Sequence, residues 1–502
     1  MGQTQLGAIS FAGTEDKGSS ELGGAMPQVT NVIVDATGTM RARPGMVPWP
    51  AFTQVSSSAV IGMCSFQDWL VYVTADRLVH AISSGGTTLE LSDPGDPTTW
   101  LDGGGRPSFV QGLRMLVIAG GGQMQKWLGT GLSARLLNTG APILGGDPNP
   151  GGPPPAATHI CGVAQRLVAK VANTSGQFWW SGPLDMYEDW DMNSSSGGDA
   201  GFIQASGKPD PLVAMFDNTN EIFAFGPLTL QVFDPSSTQI STDPVTDVAV
   251  VQDFMPNRAL DIGVLAPDSI ISVDNTFALV DRYRRVLLTD ARSFKEIGKS
   301  VARVLRQIDG IETALGFKIR FGRYDFLAWM FPSVGYGLIF DTASGNWSEW
   351  RAWGPSGPLN VSITSFYDWA ESDLAVVGLS NGQIALFTDD ATTDLGNPIN
   401  IKLVSGFTSH GVAARKHCHT LLLTFRRTFI PTASSGHVRL SYRNYEGAWT
   451  LVRDIQLGAD PYAVITLRSL GVYRTRQWML EYTGSDQLEF VGAQEEYETL
   501  GA

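Results

Sequence analysis

The sequence predicts an all-β protein: a β-propeller of six or seven blades, followed by a β-sandwich, with one short amphipathic helix. Three observations predict it. Paired apolar runs recur at a blade-like period, the chain is rich in turn residues, and the periodicity stops near residue 390 while strand-like segments continue. Gly 56 and Pro 27 make up about a sixth of the 502 residues, and charged residues are only 17%, against the ~25% typical of soluble domains.

The runs that set the period begin at Leu70 (LVYVT), Met115 (MLVIA), Leu167 (LVAKV), Ile222 (IFAFG), Phe277 (FALVD), Phe326 (FLAWM) and Leu374 (LAVVG). Their spacings are 45, 52, 55, 55, 49 and 48. Each is followed by a second run: LVHAIS, MQKWLG, QFWWSG, LTLQVF, RVLLTD, GLIFDT and QIALFT. Two apolar runs joined by a short turn read as a hairpin, and a hairpin every ~40–50 residues is the period of a propeller blade. The blade count stays at six or seven, because the first or the last unit could belong to a flanking sheet.

Taken in order, residues 1–57 are expected to form N-terminal strands or an arm that packs on the C-terminal domain or on a partner. Residues 58–390 are the propeller. Within it, the Pro- and Gly-rich stretch 141–157 (APILGGDPNPGGPPPAA) predicts a long loop. In Arg292–Asp309, Phe294, Ile297, Val301, Val304 and Ile308 recur every three or four residues behind Ser293-x-x-Glu296, which predicts a capped amphipathic helix. Its apolar stripe must be buried on the adjacent blade or on a partner. Residues 391–502 hold seven further strand candidates without the blade spacing and read as a separate sandwich.

Charge is unevenly spread. The net charge of −14 excludes a basic groove as the dominant feature of the monomer. Residues 401–480 nevertheless carry a net +8 and residues 481–502 a net −6, which suits docking between ends of opposite sign. The cations are 26 Arg and only 9 Lys, and there are 14 Trp, a bias shared with protein interfaces.

The search for chemistry yields mostly exclusions. Cys64, Cys161 and Cys418 are too few and too far apart for a disulfide framework, and no zinc spacing is present. The N-terminus lacks the apolar core of a signal peptide, and no stretch approaches the ~18–20 apolar residues of a membrane span. The chain is therefore expected to be made in the cytoplasm, with no membrane insertion of its own. The acidic run Asp185-Met-Tyr-Glu188-Asp189-Trp190-Asp191 could serve a propeller glycosidase, but it sits in a turn and reads as a polar blade connection. His417 and His419 share one face of a strand and could supply half a metal site, with no second half in view. No phosphate loop, nucleophile elbow or zinc-protease motif occurs. No catalytic residue, metal or cofactor is expected, and the protein is not expected to be an enzyme. Between Asp281 and Asp325 eleven Lys/Arg face six acids. Within that segment Arg282, Arg284, Arg285, Arg303 and Arg306 are candidate contacts for a DNA channel or a neighbouring subunit.

An ordered set of motifs runs through residues 30–355. It comprises Arg41–Gly45 (RARPG), Ser181/Asp185/Trp190, Asp210/Phe225-Gly226/Val232-Phe233, Ala266-Pro267-Asp268-Ser269, and Phe331-Pro332/Asp341/Gly345/Trp347. In that order they resemble the packaged-DNA stabilisation proteins, or tail hub (nozzle) proteins, of short-tailed phages. The resemblance implies structural roles for Ser181, Asp185, Trp190, Asp210, Gly226, Pro332, Asp341, Gly345 and Trp347. It also implies a homo-oligomer, usually a hexameric ring, in the virion tail below the portal and its adaptor. Such a ring would touch tail fibre, tailspike or needle proteins, retain packaged DNA, and pass double-stranded DNA without sequence specificity at ejection. The alternatives are a receptor- or glycan-binding propeller module and a propeller glycan depolymerase.

Overall fold

A computed structural model describes residues 4–9, 28–34, 39–50, 52–54, 56–137, 154–172, 176–182, 187–190, 200–205, 210–218, 220–235, 239–242, 249–251, 254–321, 324–351, 353–354, 357–358, 363–427, 436–445, 447–458, 460–484 and 487–500. The predicted loop at 141–157 falls outside them, except for its last four residues. All seven predicted hairpins are present, each as the second and third strands of a four-stranded antiparallel unit; five of these units are separate sheets, and the sixth and seventh are parts of larger sheets.

Six blades come from contiguous chain. Blade one runs from Val60–Phe66 to Thr88–Glu90, blade two from Ser108–Gln111 to Ala134–Arg135, and blade three from Ala157–Val163 to Gly201–Gln204. Blade four runs from Ala214–Asp217 to Phe254–Leu260, blade five from Ile271–Val273 to Phe294–Glu296, and blade six from Leu315–Phe321 to Trp347–Trp350. The seventh, closing sheet has three strands of its own, Ile363–Trp369, Leu374–Leu379 and Ile384–Thr388, and takes its fourth from the N-terminal end of the chain.

The middle strands of each blade are covered on both faces by neighbouring blades, which is why they read as unbroken apolar runs. Val71 and Val73 of blade one pack with Leu116, Ile118 and Trp127 of blade two. The same pattern continues from sheet to sheet round the ring. Trp49, Val60, Leu70 and Tyr72 meet Trp369, Val376 and Ile384 where blade one closes on the seventh sheet. Each fully buried large side chain contributes ~1.5–3 kcal/mol, so the blade interfaces are the main source of stability. Polar bonds fix the closure: Thr364 Oγ1 and Ser365 Oγ both donate to Val60 O, at 2.7 and 2.9 Å.

The N-terminal strands are divided between two bodies. β1 (Thr4–Ile9), β2 (Gln28–Thr30), β3 (Val32–Val34) and β4 (Met40–Ala42) pair within the C-terminal sheets. β5 (Gly45–Pro48) leaves them and pairs with Ile384–Thr388 in the propeller. The short pairs Thr393–Asp394 and Asn397–Pro398 also belong to that propeller sheet, so the sandwich strands begin at Ile401 and not at 391.

All seven strands expected after residue 390 are present. One sandwich sheet has the order β3, β4, Leu488–Thr499, Lys416–Arg427, Tyr462–Arg468, with β1 added to Leu488–Thr499. The other runs β2, Ile401–Val404, Arg476–Thr483, His437–Asn444, Thr450–Gln456. Between them lies a core that includes Leu421, Leu423, Phe425, Val438, Leu440, Trp478 and Leu480. The second sheet is also continuous with blade six, because β2 pairs in parallel with Trp347–Trp350 through Thr30 and Glu349.

The helix differs from its prediction. Phe294–Glu296 is the outer strand of blade five, Lys299–Val301 is a 3-10 turn, and the α-helix is only Ala302–Gln307. Ser293 and Glu296 therefore form no capping box. Strand pairing with Val286–Thr289 won over the helical period, leaving Phe294 exposed. Val301, Leu305 and Ile308 are buried against blades five and six, so the apolar stripe is covered by the propeller itself.

Candidate functional site: a basic patch beside the fifth blade

The hairpin turn of blade five, Asp281-Arg282-Tyr283-Arg284-Arg285, is organised by one carboxylate. Asp281 Oδ1 accepts the backbone N–H groups of Tyr283 (2.9 Å) and Arg285 (2.8 Å), and Oδ2 accepts the Arg285 guanidinium at 2.8 and 2.6 Å. That pairing holds the Arg285 guanidinium above its ordinary range. Arg284 sits in the left-handed region (φ 60°), and its Nη1 donates to Arg306 O (3.0 Å) and Ile308 O (3.3 Å). It thus satisfies carbonyls at the end of helix Ala302–Gln307, where a cation is also favoured by the helix dipole.

Two of the five predicted arginines are therefore committed to structure, and three remain available. The Arg282 guanidinium lies 4.8 Å from the centre of the exposed Tyr283 ring and donates to its hydroxyl, and the Arg285 guanidinium lies 5.1 Å from the same ring. Arg303 and Arg306, three residues apart and exposed on the helix, have no side-chain partner among the described residues. Exposed arginines around an exposed tyrosine suit a protein interface or a phosphate backbone.

The described residues of the ordered motifs hold turns and contacts between blades. Ser181 is fully buried; its Oγ accepts Leu167 N (3.0 Å) and donates to Gly182 O (3.1 Å). Trp190 is buried with its Nε1 on Tyr187 O (2.9 Å). Asp210 Oδ2 accepts Leu228 N, Thr229 N and Thr229 Oγ1, and a side chain at Gly226 would strike that carboxylate at 2.2 Å. Pro332 follows Phe331 in a turn closed by Val334 N on Phe331 O (3.1 Å). Asp341 accepts Ala343 N and Ser344 Oγ, with Gly345 at φ 73° completing the turn. Trp347 Nε1 donates to Ile297 O (3.0 Å), tying blade six to the segment before the helix. Asp185 and Asp191 lie outside the described residues. Glu188, from the same acidic run, pairs with Lys126 at 2.6 Å and accepts Leu137 N, linking blade three to blade two.

His417 and His419 do share a face, with ring centres 4.5 Å apart, and His419 reaches Glu498 at 3.3 Å. Cys418 points into the core. No group of three metal-ligating side chains occurs among the described residues. Among the described residues no helix is long and apolar enough to cross a membrane.

Two features had no precursor in the sequence reading. Arg106 precedes the first strand of blade two, and its Nη2 donates to Thr364 O of the seventh sheet at 2.7 Å. It also attracts Asp268, which precedes the first strand of blade five; burial raises the Asp268 carboxyl and Arg106 opposes that rise. Blades two and five are not neighbours in the ring, so the two charges act on each other from separate blades. The second feature is a cleft of about 310 Å³ where blade six meets the sandwich. Across its floor Glu349, Thr30, Lys402, Glu481, Arg439 and Asp454 sit side by side on successive strands, and the charged members alternate in sign.

No known family profile and no curated protein matches the chain. Among solved structures, the crystal structure of the computationally designed Ika8 protein aligns over 69% of this chain and 99% of its own, at 12% identity and a TM-score of 0.35. A likeness that slight carries no argument about fold or function.

Proposed function

We propose that this chain is a structural subunit of a ring in the tail of a short-tailed phage, seated below the portal and adaptor and extending the path of the DNA. The observation that carries the reading is the sheet that runs from blade six through β2 into the sandwich. A hinge between two domains needs a sparse, polar junction. Here a shared backbone ladder joins them, as a part that bears load and keeps register in an assembly requires. The order of the turn motifs supports the same reading. The three available arginines beside blade five give the subunit a basic contact for an adaptor protein or for phosphates. On this reading the DNA runs in a lumen formed between subunits. The acidic body suits such a lumen, since like charge lets DNA slide rather than stick.

Mass spectrometry and immunolabelling of purified particles test this reading. The protein is expected at the tail vertex in ring stoichiometry, and particles assembled without it are expected to package DNA and then lose it. Absence of the protein from particles contradicts the reading. The second reading is a receptor- or glycan-binding propeller module. The polar trough of about 710 Å³ between blades four and five, lined by Asn218, Asn220, Asn275 and Asp290, favours it. Binding on a glycan array that is lost on Asn218→Ala and Asn275→Ala would select it.

A further inference from the structure

In the cleft of about 310 Å³ between blade six and the sandwich, two opposite charges face each other without pairing. Lys402 and Glu481 are direct cross-strand neighbours on Ile401–Val404 and Arg476–Thr483, a position where opposite charges ordinarily meet. Both are half-buried, yet they form no hydrogen bond or ion pair among the described residues. The outer acids of the same row are paired. Glu349 holds Arg351 at 3.0 Å, and Asp454 holds Arg439 at 3.4 Å and His437 at 3.3 Å. The open pair therefore lies in the middle of the row, between two closed ones.

Two further lining residues carry polar atoms without a partner. Thr30 stands next to Lys402 in the row and is only 4% exposed, and its Oγ1 makes no hydrogen bond among the described residues. Asn400, two residues before Lys402 and on the same face, has its Oδ1 buried in the same way. Such atoms mark places where an ordered water or a ligand belongs. The lining carries no net charge, because Arg351, Lys402 and Arg439 balance Glu349, Glu481 and Asp454. An anion or a cation placed here would meet a like charge one strand away, about 4.8 Å along the row. A zwitterion would answer Lys402 and Glu481 and leave Thr30 and Asn400 as they are. A molecule with several neutral hydroxyls can answer all four, since each hydroxyl both accepts, as Lys402 needs, and donates, as Glu481 and Asn400 need. A hydroxyl that accepts from a cation while donating to a carboxylate is strengthened at both ends.

We propose that this cleft binds a neutral saccharide, whose hydroxyls bridge Lys402 and Glu481 beside Thr30 and Asn400. The volume is at the lower end of small-molecule sites and suits a short saccharide unit rather than a long chain. The site is separate from the trough between blades four and five, and it does not depend on the ring reading. Its selectivity comes from matched donors and acceptors, and neither the sign nor the size of a ligand charge contributes to it.

The test probes a glycan array with the labelled full-length protein, alongside saturation-transfer NMR with glucose, galactose, mannose and glycine as soluble probes. Binding to at least one neutral saccharide is expected. Lys402→Met and Glu481→Gln are each expected to weaken it by ~10-fold or more, through the loss of one charge-assisted hydrogen bond. Asn218→Ala, in the other trough, is expected to leave it unchanged. Since Lys402 and Glu481 hold no partner among the described residues, both variants are expected to keep the wild-type denaturation midpoint, which separates lost binding from lost fold. Binding to no neutral saccharide, or binding that survives both substitutions, overturns the proposal. Binding of glycine alone, lost in both variants, assigns the cleft to a zwitterion and overturns it as well.

Discussion

Arg43 and Asp394, 351 residues apart in the chain, form a buried ion pair at the point where the N-terminal segment passes from sandwich to propeller. Arg43 Nη1 donates to Asp394 Oδ1 (2.9 Å) and Pro44 O (2.9 Å), its Nη2 donates to Asp394 Oδ2, and its Nε donates to Asn31 Oδ1 (3.0 Å). Asn31, in the left-handed region at φ 59°, also donates to Asn400 O and accepts Arg351 N. One arginine and one asparagine thus connect the sandwich, blade six and the closing sheet. Removing one member of a buried, hydrogen-bonded pair strands the other charge. Arg43→Ala or Asp394→Ala is expected to cost about 3–5 kcal/mol in chemical denaturation, and replacing both with apolar residues of similar volume is expected to cost less than either.

β5 can be tested at its tightest point. A side chain at Gly45 would meet Thr393 O at 2.1 Å, a backbone atom that cannot step aside. Gly45→Ala is expected to destabilise by about 1–3 kcal/mol and to speed hydrogen exchange in Ile384–Thr388, the strand it covers. Gly406→Ala, at a glycine with open space around it and, like Gly45, no positive φ, controls for the loss of glycine itself.

Two groups on neighbouring blades give opposite pH slopes. Burial pushes the Asp217 carboxyl of blade four up to about 6 and lowers the His159 imidazole of blade three to about 4. The raised acid contributes stability below about pH 4 that is lost as pH rises through 6. The depressed base contributes stability above about pH 6.5 that is lost as pH falls toward 4. Wild-type stability is expected to vary little between pH 4 and 6.5. Asp217→Asn is expected to leave a stability that rises with pH and to gain about 1–2 kcal/mol at pH 7.5, and His159→Asn to leave one that falls. Denaturation midpoints across that range decide it.

The basic patch is separable from the fold. Arg303 and Arg306 bear on no core contact, so Arg303→Glu/Arg306→Glu is expected to move the denaturation midpoint by no more than about 0.5 kcal/mol. If the proposed tail role holds, the same variant is expected to fail to restore particles assembled without the protein. By contrast, Asp281→Ala releases Arg285 and the turn, and is expected to lower stability as well as assembly.

The legible part of the fold was the part buried on both faces. Strands such as Leu116–Ala119 and Thr276–Val280 show as apolar runs because blades cover them from either side. Outer strands such as Thr88–Glu90 and Gly201–Gln204 alternate or face water, and carry no such run. The transfer of β5 to the closing sheet was invisible, since its partner strand lies more than 330 residues away in the chain. The helix was misjudged because Phe294 and Ile297 fit a period of 3.6 as well as they fit a strand and a turn. The arginines of the site were legible as composition. Their division into structural and available members depends on Asp281 and on the end of the helix, neither of which the spacing reveals.

Projection images of the purified full-length protein, by negative-stain electron microscopy, test the central claim most directly. The account predicts closed rings with six-fold symmetry. Single particles of one subunit's mass at every concentration would contradict it.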